Sequence, residues 1–135
     1  MMTDDAVHEF LLSRGCPDDV VEMGLEGLLL EWERAVAQVE SGYPLGLDDY
    51  LNDLDGRQLL EESLEVAPDL ERAVAHVRLA AADARMRREA RFTEECLWGN
   101  RVADQEGWTA EHNWWYFAVP RTPGSTLRED LDAAG

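Results

Sequence analysis

PDDVVEMGLEGLLLEWERAVAQVES, residues 17–41, is the stretch that decides the fold. Val21, Leu25, Leu28, Trp32, Ala35 and Val39 recur at steps of three and four, the spacing of one helix face. Leu29 and Val36 widen that face beyond a coiled-coil seam, as contact with more than one neighbour requires. Pro17 suits a first helical turn, and Asp18, Asp19 and Glu22 suit the positive end of the helix dipole. Glu26, Glu33 and Glu40 fill much of the remaining circumference, and Gly42 stops the run.

A second long helix is expected over 68–97. Leu70, Val74, Val77, Ala81 and Ala84 mark its face, and alanines at 80–82 and 84 invite close approach of another helix. Bulky residues on one helix and small ones on the other predict antiparallel packing, with Leu25, Leu28, Trp32, Val74 and Val77 between them. Between the two, 47–67 reads as a pair of short helices broken at Gly56, with Asp55 capping the second. A short helix carrying Val7, Phe10, Leu11 and Leu12, capped by Asp4 or Asp5, precedes the first long one. Residues 100–107 are polar and read as irregular. Residues 114–119 favour extended structure, with no evident partner strand. The expected fold is therefore mainly α: a small helical bundle on two long antiparallel helices, with a C-terminal extended aromatic segment. Residues 1–120 form a single helical domain, and 121–135 a tail that Leu127 and Leu131 can dock.

Charge bounds the function. The formal net charge is -17, from 29 acidic against 12 basic side chains, and every basic one is arginine. Such a field opposes nucleic-acid phosphates and anionic lipid, and favours a basic protein partner. Adaptation to a salty cell interior is a competing source of the same acidity. An apolar fraction of 45% is that of a folded domain. No apolar run is long enough to cross a membrane, and no basic-then-apolar leader is seen, so the expected location is the cytoplasm. Cys16 and Cys96 read as free thiols.

Three constellations are candidates for a site. Arg85, Arg87, Arg88 and Arg91 form a positive island in a negative chain, suited to ion pairs with the first long helix or to an acidic ligand. Trp108, Trp114, Trp115, Tyr116 and Phe117 form a dense aromatic group, suited to a core lid or to a binding surface such as a homodimer interface. Asp49, Asp53, Glu61, Glu62 and Glu65, with Glu22 and Glu26, supply carboxylates that a magnesium-dependent nucleotide hydrolase would need to converge on one ion. No phosphate loop, nucleophile elbow or paired-histidine spacing accompanies them; His76 beside the apolar stripe reads as half-buried. The expectation is a non-enzymatic protein–protein interaction module without a cofactor. Inhibitor, immunity-like and nucleic-acid-mimic types all lie within that class, and the helical hydrolase is the alternative.

No complex with a random DNA duplex is expected at physiological salt, because the mean field opposes the phosphates. A mobility-shift titration showing a retarded band that weakens with salt would mean that the arginines override it.

Overall fold

The computed structural model describes residues 5–134. Its elements are α1 (Asp5–Ser13), α2 (Asp18–Glu40), α3 (Leu47–Val66), α4 (Asp69–Glu89), β1 (Ala90–Phe92), α5 (Asn100–Glu106), a 3-10 turn (Trp114–Phe117), β2 (Ala118–Pro120) and α6 (Ser125–Ala134). The chain forms the expected mainly helical bundle, with α2 packed on both α3 and α4. Asp4, offered as the cap of α1, lies outside the described residues.

The direction of the two long helices differs from expectation. α3 folds back on α2, so that Tyr43 just beyond α2 reaches Asp53. α4 folds back on α3, so that Arg72 in its first turns bonds the Leu64 carbonyl and Arg57 meets Asp83. Two reversals restore the original direction. Arg78 bonds Glu26 and Glu33, and further along both helices Arg85 bonds Glu40. α2 and α4 therefore run parallel.

The buried face of α4 also differs. Leu70, Val74 and Val77 are exposed, as are Ala81, Ala84 and His76. Ala75, Leu79, Ala82 and Met86 face inward instead. The helix carries two apolar stripes, and polar bonding selects between them. Asp83 accepts from both Trp32 and Arg57, which rotates the less apolar stripe onto the core. On α2 the expected residues Leu25, Leu28 and Trp32 are buried.

α3 is continuous through Gly56, not broken there. Asp55 does not cap a second helix; it accepts hydrogen bonds from the Trp98 indole at 3.0 Å and the Tyr116 hydroxyl at 2.7 Å. Conversely α2, read as one helix, is kinked at Gly24, which adopts φ 59° and ψ -147°. That conformation belongs to glycine. The kink also brings Met23 over Gly27, where a Cβ would lie 2.3 Å from the Met23 Cβ.

α4 ends at Glu89, short of the expected 97, because Ala90–Phe92 becomes a strand. It pairs antiparallel with β2 in the register Ala90↔Pro120, Arg91↔Val119, Phe92↔Ala118. This is the partner strand that sequence reading lacked. Only the end of the aromatic segment is extended; Trp114–Phe117 coils as a 3-10 turn. Residues 100–106, read as irregular, are helical. The tail is a docked helix: Leu127 is fully buried, and Asp130 accepts from the Leu47 backbone N–H at 2.9 Å, serving the start of α3.

Gly24→Ala forces a Cβ into a backbone region reserved for glycine. It is expected to cost about 1–3 kcal/mol in urea unfolding, with helix content retained in circular dichroism.

Candidate docking groove

On α3 the positions Leu54, Arg57, Leu60 and Leu64 share a face, and all four are buried. Arg57, only 3% exposed, is thus a cation in the core. Its guanidinium grips Asp83 through Nε at 3.1 Å and Nη2 at 2.9 Å, and bonds Glu61 through Nη1 at 2.9 Å. It lies 4.2 Å from the Trp115 ring centroid and 5.9 Å from that of Trp32. The Trp32 indole donates to the same Asp83 oxygen at 2.9 Å. All of the donors toward Asp83 are satisfied within this cluster, so it holds the helices together and offers nothing to a ligand.

Beside it, between α2 and α3, runs a groove of about 590 Å³. Leu28, Trp32 and Leu59 supply apolar lining, and Asp19, Glu31, Asp53 and Asp55 supply carboxylates. Exposed Met23 and Leu30 flank it. Gly56 borders open space in it: a Cβ there would meet nothing within 4 Å. Asp53 is half-buried and accepts from the Tyr43 hydroxyl at 2.6 Å. Burial pushes its carboxyl up, against the opposing effect of that hydrogen bond. Burial, reinforced by Asp53, raises the Tyr43 phenol in turn. The one basic side chain lining the groove is Arg34, which pairs with Glu31 at 3.3 Å.

The sequence candidates separate into different places. Arg85 pairs with Glu40, whose carboxyl that hydrogen bond lowers. Arg87 stacks over Trp114 at 4.2 Å. Arg88 and Arg91 are exposed and form no ion pair among the described residues, so of these four arginines Arg85 makes the ion pair with the first long helix there. Trp114, Trp115, Tyr116 and Phe117 are all buried, with neither side of the segment left open. Trp108 is half-buried and stacks on Tyr116 at 4.0 Å. The aromatic segment covers the core within one chain, the lid reading of it.

The carboxylates do not converge. Glu61 serves Arg57, Glu62 serves Arg14 and Gln58, and Glu26 serves Arg78. Asp49, Glu22 and Glu65 are exposed. Among the described residues no group of three His, Cys, Asp or Glu side chains is placed to hold a metal ion. The geometric condition set for the hydrolase alternative is unmet there.

Sequence reading missed Arg57, Asp83 and the groove. Arg57 had a signal, since it occupies an apolar-face position between Leu54 and Leu60. Asp83, inside an alanine run, had a weaker one. Comparisons with protein-family models, curated proteins and solved structures find no match.

Arg57→Met leaves Asp83 without its cation and is expected to cost about 3–5 kcal/mol in urea unfolding. Adding Asp83→Leu removes the stranded charge, so the double variant is expected to lose less than the sum of the two single losses.

Proposed function

We propose that this protein is a non-enzymatic interaction module whose α2/α3 groove takes up a basic, apolar-bearing segment of a partner protein. The observation that carries the reading is the combination of apolar lining and carboxylates in one groove. Apolar side chains of the guest would cover Met23, Leu30 and Leu59, while its lysines or arginines meet Asp19, Glu31, Asp53 and Asp55. The chain's net charge of -17 would steer such a guest from a distance. Asp53 gives the groove a local reason to want a cation, because its half-buried carboxylate is held by a phenol and not by an arginine. The reading is of a cytoplasmic protein, in keeping with two free cysteines. No helix among the described residues is long and apolar enough to cross a membrane.

The test is calorimetric titration with a synthetic amphipathic Leu/Lys helix and with its Leu/Glu counterpart. Binding of the basic peptide alone is expected. Gly56→Leu starts from a Cβ that meets nothing within 4 Å and removes a helix-interior glycine, so retained folding, checked by circular dichroism, and binding weakened at least about tenfold are expected. An incoming cation favours ionised Asp53, whose carboxyl is raised when free. Affinity should therefore rise with pH through the carboxylate range, and Asp53→Asn should flatten that rise. Equal binding of both peptides, or undiminished binding by the Gly56→Leu variant, would refute the groove as the site.

A further inference from the structure

The outward stripe of α4 has no occupant. Leu70, Val74 and Val77 are 79%, 64% and 73% exposed, and Ala81 and Ala84 continue the line in the open. They step by four, three, four and three, the seam spacing by which one helix packs along another. The stripe extends for about 20 Å. It lies away from the inward residues Ala75, Leu79, Ala82 and Met86, so the fold of a single chain makes no use of it.

We propose that this face pairs with the same face of a second copy, antiparallel, about a two-fold axis near Val77. Charge chooses the occupant and its direction. α4 carries five arginines (Arg72, Arg78, Arg85, Arg87, Arg88) against four carboxylates (Asp69, Glu71, Asp83, Glu89). Asp83 faces Arg57, and Arg78 and Arg85 pair with α2. The charges beside the open stripe are therefore Asp69, which meets Arg72 at 3.2 Å, at one end and Arg87 and Arg88 at the other, a mixed patch on a strongly negative molecule. Its charges are also polar along the helix, with Asp69 and Glu71 in the first turn and Arg87 and Arg88 in the last. A parallel pair would set arginine on arginine. An antiparallel pair sets Arg87 of each copy beside Asp69 of the other and opposes the two helix dipoles. Pairing about Val77 places Leu70 opposite Ala84 and Val74 opposite Ala80 and Ala81, large against small along the seam. The exposed alanines Ala73 and Ala80 beside the stripe let the backbones approach closely. Arg87 and Arg88 of the island thereby meet acidic residues of the second chain. The α2/α3 groove is built from other residues, so both surfaces can be occupied together.

One helix seam is smaller than the roughly 800 Å² per partner of a standard interface, so a dimer with Kd of order tens of micromolar is expected. Sedimentation equilibrium of the full chain from about 1 to 500 µM, at about 0.3 M salt to screen the net charge, should show reversible dimerisation. Val77→Glu sets two carboxylates face to face on the axis and should abolish it. Val77 is already exposed, so circular dichroism and melting should be unchanged. Val77→Cys should cross-link to its own copy under mild oxidation, while Leu12→Cys, on a different exposed surface, should not. Asp69→Arg should weaken the dimer and Asp69→Arg with Arg87→Asp should restore it. A wild type that stays monomeric throughout, a Val77→Glu variant that still dimerises, or cross-linking of Leu12→Cys as fast as Val77→Cys would each overturn the proposal.

Discussion

A buried guanidinium organises this bundle. Arg57 on α3 takes Asp83 from α4 with two hydrogen bonds and lies against Trp32 of α2 and Trp115 of the 3-10 turn. A charge taken out of water must be neutralised and fully bonded to be tolerated, and the geometry that achieves this is narrow. Four separate elements are therefore positioned by one side chain. The rotation of α4 follows, because Asp83 must face inward. So does the burial of the aromatic lid, whose Trp115 covers the guanidinium.

The same requirement explains where the sequence was legible. α2 has a single apolar stripe, and its buried residues Leu25, Leu28 and Trp32 could be read from periodicity. α4 has two stripes, and periodicity favours the more apolar one. What decides is a long-range polar contact, between positions 57 and 83, that no local window contains. The helix direction was misread for a related reason: matched stripes say that two helices meet but not which way they run, whereas the intervening α3 settles it. Gly56 and Gly24 reverse expectation as a pair. A glycine after an aspartate reads as a break, yet Leu54, Arg57 and Leu60 are anchored on both sides of Gly56 and hold the helix through it. Gly24 looks harmless beside a strong apolar pattern, yet it carries a backbone conformation closed to other residues.

The site residues divide along the same line. The aromatics were visible as a cluster, and their density reflects a lid that must cover a cation as well as an apolar core. The arginine island was visible too, but charge pattern alone does not show that, of its four members, only Arg85 finds a carboxylate among the described residues. The groove was hidden because its residues come from two helices, so no local window of sequence contains it.

The far end of the chain finishes work begun near its start. The first backbone N–H of α3, at Leu47, is satisfied by Asp130, and the strand that closes α4 at Ala90–Phe92 meets its mate only at Ala118–Pro120. A ribosome emits these residues in order, and early portions begin to fold before late ones exist. From the emergence of α4 and β1 until residues 118–130 follow, the growing chain therefore holds four helices with the start of α3 uncapped and a strand edge unpaired. The bundle is sealed only when residues 118–130 arrive, so a chain cut ahead of them keeps four helices and lacks their fastening.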